Sequence, residues 1–138
     1  MSNTDAHRRL HDFFNRRDWD ALDKYVREDV TYQDVPRGQR MGSLAAFKEW
    51  LGEWATGFSD AQVAEVAYLD GGDFTVARFQ GRGTNDGKLG SFEPTDQRMD
   101  MAFCEILHWD AEGQVESAEI YYDQMTMLTQ LGHVQPPG

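Results

Sequence analysis

Two carboxylate side chains, Asp34 and Glu105, are the residues whose spacing best suits them to chemistry. In the segment "TYQDVP" (residues 31–36), strand geometry would point Tyr32 and Asp34 to the same face. Glu105 is the only charge on one face of a predicted strand, among Met99, Met101, Phe103, Leu107 and Trp109. A lone desolvated carboxyl has a raised pKa, which suits a general acid or base near neutral pH.

Each of these charged residues also has a purely structural interpretation. Glu105 could pair with an arginine or lie in water near the end of its strand. Asp34 could be an ordinary acid on a short edge strand. Arg78, Gln80 and Arg82 lie at every second position of another predicted strand and therefore share one face. This face is either exposed to solvent, or it is one from which Arg78 enters a cavity and holds an acidic group. The sequence leaves these alternatives open.

Other catalytic motifs are missing from the sequence. It contains no glycine-rich phosphate loop and no nucleophile elbow. Cys104 is expected to be a small core residue rather than a nucleophile. His7 and His11 are four residues apart on one helical face, a spacing that two zinc ligands can use, but no third ligand is evident. We therefore predict no metal and no cofactor.

The charge and the cysteine content restrict the partners and the compartment. The net charge is −11, from 24 acidic and 13 basic residues, so the surface repels phosphate backbones and anionic lipids. Nucleic acid and membrane are therefore not expected partners. The single cysteine cannot form an internal disulfide, and the first residues lack the apolar stretch of a signal peptide. Together these features predict a cytoplasmic protein.

The spacing of apolar residues predicts the elements that hold these side chains. Helices are expected over residues 5–16, with Thr4 or Asp5 as cap, over residues 17–26, and after Ser43. Beyond residue 60 the pattern alternates with a period of two, and glycine-containing turns separate four strands. Asp123 is expected to cap a short final helix.

This order of elements predicts an α+β domain, with helices packed on one face of a curved antiparallel sheet that encloses a conical cavity. We expect a single domain over residues 1–138, ordered over about 5–133, with a tail at 134–138. If His108 opposes Val115 across the last hairpin, Glu105 shares its face with Ala118, Ile120 and Tyr122.

From about residue 8 to residue 133, the chain resembles the SnoaL-like polyketide cyclase family of the nuclear transport factor 2-like superfamily. The resemblance is carried by the order of the elements, by "YQDVP", by "GRGTNDG" (similar to the family's GTHxG segment, with Asn85 for histidine) and by the ending "YYDQMTMLTQLG". It implies a cone-shaped α+β barrel, a hydrophobic pocket that works without a cofactor, and often a homodimer. "YQDVP" is similar to the Tyr-x-Asn-x-Pro segment of limonene-epoxide hydrolases, which would place Tyr32 and Asp34 in the pocket.

The sequence also departs from the catalytic residues of that superfamily. Ile120 stands where the cyclases and epoxide hydrolases carry an essential aspartate. Arg78 matches the arginine of an Arg-x-Asp pair in the hydrolases, but Gln80 stands in the place of its acid. Either the carboxylate has moved to Asp34 or Glu105, or the protein no longer uses this chemistry.

We therefore expect an acid–base enzyme that cyclises or isomerises a hydrophobic, carbonyl-bearing small molecule of polyketide or terpenoid type, or that hydrolyses an epoxide. Asp34 or Glu105 would be the base and the other the acid. Tyr32 would donate to the developing oxyanion, and Arg78 would complete the catalytic set. The predicted pocket wall comprises Phe14, Trp50, Trp54, Gln80, Met101, Phe103, Ile120 and Tyr122.

Two alternatives belong to other classes of protein. One is a small-molecule carrier of the same fold without turnover, which the loss of the aspartate at Ile120 favours. The other is a protein that binds a protein partner through the outer face of its sheet.

Overall fold

Helix α1 (Asn3–Arg16) begins the fold. The structure, a computed structural model, describes residues 1–136, so the last two residues of the predicted tail lie outside the described range. Ser2 caps the helix, where Thr4 or Asp5 was expected, because its hydroxyl accepts the amide of Asp5 while the Asp5 carboxylate accepts the amide of Ser2. Two histidines and an alanine lie buried on its inner side: His7, His11 and Ala6.

The chain then turns through a 3₁₀ helix (Asp20–Lys24) into strand β1 (Val26–Asp34). A short strand β2 (Gln39–Met41), which the sequence pattern does not predict, precedes helix α2 (Leu44–Gly57). The predicted cap of α2 is confirmed, since the hydroxyl of Ser43 accepts the amide of Ala46. The buried stripe of α2 includes Phe47, Trp50, Leu51 and Trp54.

The four strands expected after residue 60 are confirmed. They are β3 (Gln62–Asp70), β4 (Phe74–Thr84), β5 (Arg98–Trp109) and β6 (Val115–Tyr122). Helix α3 (Gln124–Gln130) follows, and the carboxylate of Asp123 accepts the amide of Thr126 as its predicted cap. The buried positions of β4 and β5 recur with a period of two, so one face of these strands is covered by the helices and the other faces outward.

The strands form one 6-stranded sheet in the order β2-β1-β6-β5-β4-β3. The sheet is mixed rather than purely antiparallel, because β1 pairs in parallel with β6. It is curved and not closed into a full barrel, in agreement with the predicted α+β cone.

The expected register of the last hairpin is wrong by two residues. Trp109 pairs with Val115, one residue beyond its expected partner, and a bulge between His108 and Trp109 adds the second residue. Glu105 therefore lies opposite Ile120 instead of Ala118. A two-residue shift preserves the face of every side chain, so the predicted sharing of one face by these residues is unaffected.

The core lies between the inner face of the sheet and the helices, and it contains a cavity of about 90 Å³. Among residues 1–136, no helix combines the length and the apolar composition needed to cross a bilayer.

Candidate active site

Glu105 lies at the centre of a buried cluster of polar side chains in the cavity wall. Its Oε1 atom is 2.8 Å from Nε2 of His7 and 2.8 Å from Nε2 of His11. Its Oε2 atom accepts a short hydrogen bond from the hydroxyl of Tyr32. Strand β5 supplies the carboxylate, α1 presents both imidazoles one helical turn apart, and β1 presents the phenol.

Each imidazole is held at its other nitrogen by a hydroxyl group. His7 Nδ1 is 2.8 Å from the hydroxyl of Thr75, which accepts the indole N–H of Trp109. His11 Nδ1 is 2.8 Å from the hydroxyl of Tyr68. With Glu105 ionised, neutral imidazoles satisfy every group here: each Nε2–H donates to Oε1, and each Nδ1 accepts a hydroxyl proton.

These partners decide the ionisation of the cluster. Burial alone raises the pKa of Glu105, but the hydrogen bonds from His11 and His7 outweigh it and hold the pKa well below the usual range. Burial lowers the pKa of His7, which favours its neutral form. Burial and the adjacent Glu105 carboxylate raise the pKa of Tyr32 far above that of a free phenol, so Tyr32 keeps its proton and donates it. The raised pKa expected for a lone Glu105 is therefore not found.

The Glu105 carboxylate has room for one more hydrogen-bond donor beyond those that the described residues supply. An ionised carboxylate has roughly four acceptor positions, and the described residues fill three of them, two on Oε1 and one on Oε2. Glu105, Tyr32 and His11 all line the cavity, whose other walls are almost entirely apolar. A ligand in the cavity therefore meets one localised negative group with a proton donor beside it.

Asp34 lies on the inner face, as its alternation with Tyr32 predicts, but it belongs to a separate cluster outside the cavity lining. Its carboxylate accepts hydrogen bonds from Arg37 Nε at 2.8 Å, from Trp50 Nε1 at 3.0 Å and from the Tyr122 hydroxyl at 2.8 and 3.0 Å. Burial by itself lowers the pKa of Arg37, but its hydrogen bond to Asp34 raises it overall, and Arg37 stays charged. Asp34 thus joins the end of β1 to α2 and β6.

Five of the eight predicted wall residues line the cavity, and the other three lie outside its lining, as does Arg78, which was predicted to be catalytic. Phe14, Trp50, Trp54, Phe103 and Ile120 line the cavity. Met101 is buried in the core without lining the cavity, and Tyr122 points to Asp34. Arg78 and Gln80 lie on the outer face, because the strand alternation turns Ala77, Phe79 and Gly81 inward; the solvated-face alternative therefore holds for both.

The assembly of the two histidines with Glu105 is not predicted from the sequence. Their spacing of four residues was the available signal, but nothing in the sequence connects α1 to a strand beginning at residue 98. One ligand atom each of His7, His11 and Glu105 lies within 4.8 Å of the other two, so Glu105 is a candidate third ligand that the sequence did not reveal. Imidazole and carboxylate are ligands suited to a divalent transition metal.

Ile120 lies directly beside the Glu105 carboxylate in the cavity wall. Ile120 and Glu105 are direct partners across β5 and β6, and both side chains line the cavity. A carboxylate at position 120 would therefore be a direct cross-strand neighbour of Glu105. Two adjacent buried carboxylates would repel each other, so Glu105 and an apolar residue at 120 are mutually consistent.

The fold is that of the SnoaL-like group of proteins. The model of the SnoaL-like polyketide cyclase family matches residues 4–131, and the chain belongs to that family. No curated protein matches the chain.

Solved structures support the fold. IdmH from Streptomyces antibioticus, named as a candidate polyketide cyclase, aligns over 96% of this chain and 99% of its own, with 20% identity and a TM-score of 0.80. A candidate SnoaL-like cyclase from Jannaschia sp. CCS1 aligns over 98% and 93%, with 19% identity and a TM-score of 0.86. AclR from Streptomyces galilaeus, named as a candidate hydroxylase, aligns over 99% and 84%, with 20% identity and a TM-score of 0.82. At these identities the likeness establishes the fold alone.

Proposed function

We propose that this protein is a cofactor-independent enzyme that removes a proton next to the carbonyl group of a hydrophobic small molecule, leading to cyclisation or isomerisation. Family membership supports a small-molecule, cyclase-type role. The single observation that carries the specific proposal is the pair formed by the Glu105 carboxylate and the Tyr32 hydroxyl on the wall of a largely apolar cavity.

The proposed step divides the work between these two groups. Glu105 Oε2 takes the proton from the carbon next to the carbonyl, and the electron pair of the C–H bond moves to the carbonyl oxygen as an enolate. Tyr32 turns its O–H from Glu105 to that oxygen and stabilises the developing charge. The turn also removes one of the three donors from Glu105, so the carboxylate becomes more basic when it must accept the proton.

The enolate then has two routes to product. Return of the proton from Glu105 to a different carbon gives an isomer. Attack of the enolate carbon on a second carbonyl of the same molecule closes a ring, and Glu105 gives its proton to the new alkoxide. His7 and His11 donate to Oε1 throughout and keep Oε2 turned toward the substrate. Asp34, held by three donors outside the cavity lining, takes no part in this scheme.

Exchange of carbon-bound hydrogen tests the step without knowledge of the substrate. Cyclic ketones such as 2-tetralone are incubated in D₂O with the protein and a chelator, and deuterium uptake next to the carbonyl is followed by NMR. Since a positioned general base contributes about 10²–10⁴ in rate, Glu105→Gln should lose enhancement of that order. Glu119→Gln replaces a carboxylate that is hydrogen-bonded to His108 on the outer face, and this variant should retain the rate enhancement. Equal exchange by the wild type and Glu105→Gln would contradict the proposal.

A carrier without turnover is the second candidate, and Ile120 in place of the family's aspartate favours it. A carrier would bind a ketone in saturable, stoichiometric fashion and return it without deuterium. Binding of 2-tetralone without accelerated exchange would therefore select this function over the enzyme.

A further inference from the structure

We infer that His7, His11 and Glu105 also form a binding site for one divalent transition-metal ion, with Zn²⁺ as its probe, whose open coordination position faces the cavity. The three ligand atoms are His7 Nε2, His11 Nε2 and Glu105 Oε1. Two come from neighbouring turns of α1 and one from β5, so the set combines a rigid helix with a central strand. The inference goes beyond the proposed function, which needs no metal.

The three candidate ligand atoms lie close together. Each Nε2 is 2.8 Å from Oε1. Ligand atoms on a tetrahedral zinc ion lie about 3.3 Å apart, so Oε1 would move away from each Nε2 by about half an ångström on binding. The two imidazole ligand atoms, which lie within 4.8 Å of each other, would have to reach the same spacing.

The second nitrogen of each imidazole suits the metal-bound state equally well. A metal needs the lone pair of Nε2, so each ring must carry its proton on Nδ1. Nδ1 of His7 faces the hydroxyl of Thr75, and Nδ1 of His11 faces that of Tyr68. A hydroxyl both donates and accepts, so rotating its O–H lets either tautomer stay hydrogen-bonded. This is the outer-shell support that metal-binding histidines usually have.

Charge and access also favour a cation here. Among residues 1–136, the groups that contact the Glu105 carboxylate are two imidazoles and a phenol, and no lysine or arginine pairs with it. A divalent ion would balance its buried charge. Because His11 and Glu105 line the cavity, three protein ligands would leave a coordination position open to a ligand there, as in catalytic rather than structural zinc sites.

Zinc binding has a consequence for the proposed chemistry. A bound ion would occupy the carboxylate that takes the substrate proton, so Zn²⁺ should inhibit proton exchange. This consequence rests on the proposed function, whereas the binding itself does not.

The test is a titration of chelator-treated protein with Zn²⁺ by calorimetry, and with Co²⁺ by visible absorption. The wild type should bind one ion per chain, and Co²⁺ should show the intense bands of low coordination number. Glu105→Gln should bind Zn²⁺ about 100-fold more weakly or worse, since it loses a ligand itself rather than an outer-shell partner. His108→Gln is the matched control, because His108 contacts a single carboxylate, Glu119, at 3.0 Å on the outer face. Its affinity should not change.

A second variant keeps the test decisive if Glu105→Gln does not fold. Tyr68→Phe retains all three ligands and removes only the hydroxyl that faces His11 Nδ1, so it should bind Zn²⁺ about 10–100-fold more weakly. No zinc uptake by the wild type, or unchanged affinity in Tyr68→Phe, would overturn the inference. If the ketone exchanges deuterium in the presence of chelator but the protein binds no zinc, the proposed function is retained and the metal site is excluded. If the protein binds zinc but the ketone does not exchange, only the metal site is supported.

Discussion

Glu105 is the residue on which the interpretation of this protein depends, and its neighbours define what it can do. Three donors, one of them the Tyr32 hydroxyl, hold its carboxylate ionised, and among the described residues one acceptor position stays unfilled for a ligand in the cavity. The opposite partner on β6 is Ile120, an apolar residue that leaves this single negative charge without a second one beside it. Two predictions follow from these contacts.

Tyr32→Phe should retain the carboxylate base but lose the donor to the enolate oxygen. Removal of one such donor typically costs about 10²–10³ in rate, so ketone exchange should fall by that order while the affinity for the ketone changes little. Tyr121→Phe, which removes a phenol from the exposed side of β6, is the matched control and should exchange at the wild-type rate. Unreduced exchange in Tyr32→Phe would exclude Tyr32 from the proposed step.

Ile120→Asp should destabilise the protein rather than restore a family-type site. The new carboxylate would be buried directly opposite Glu105 without a countercharge, at a cost of about 3 kcal/mol in the free energy of unfolding. Ile106→Asp is the matched control, because Ile106 lies opposite Glu119 on the outer face, where water screens the two acids. Urea unfolding measures both, and equal stability of the two variants would contradict the argument.

At the scale of the elements, Asp34 acts as the joint between three parts of the fold. Arg37 lies in the turn after β1, Trp50 on α2 and Tyr122 at the end of β6, and all three donate to this one buried carboxylate. Trp50 also lines the cavity, so this joint fixes the position of α2 over the sheet. The structural role of Asp34 is therefore to position α2, which forms part of the cavity wall.

Asp34→Asn should lower the free energy of unfolding by about 3–5 kcal/mol, because Arg37 loses its buried anionic partner and an amide N–H₂ faces other donors. Asp29→Asn is the control on the same strand, since its ion pair with Arg27 is exposed and such pairs contribute little. The comparison is made by urea unfolding at pH 7. A loss below about 1 kcal/mol in Asp34→Asn would show that the three donors find other partners.

At the scale of the whole molecule, the cavity is shared by α1, α2 and the inner face of the sheet. Residues of α1 (Leu10, His11 and Phe14) and of α2 (Phe47, Trp50, Leu51 and Trp54) line it, whereas α3 contributes none. The homodimer and the hydrophobic small-molecule substrate implied by the family resemblance remain predictions.

Binding of an apolar probe should therefore be visible as local protection. Saturation with toluene should slow amide hydrogen exchange in α1 and α2, because their inner faces would pack on the ligand, and leave α3 almost unchanged. Exchange read by mass spectrometry separates the three helices without any substitution. Uniform slowing along the chain, or slowing confined to α3, would place the ligand elsewhere.

Local patterns in the sequence determined the class of fold and much of the inner face. The caps at Ser43 and Asp123, and the inward alternation of Tyr32, Asp34 and Glu105, follow from periods of a few residues, which act over short distances along the chain. Only the tertiary structure decided what meets Glu105. His7 and His11 lie far from it in sequence, the parallel pairing of β1 with β6 is non-local, and the bulge after His108 sets the register. Periodicity assigns a side chain to a face, but packing between distant elements selects its partners. Those partners lower the pKa of Glu105, which the sequence alone predicts to be raised, and keep its carboxylate ionised.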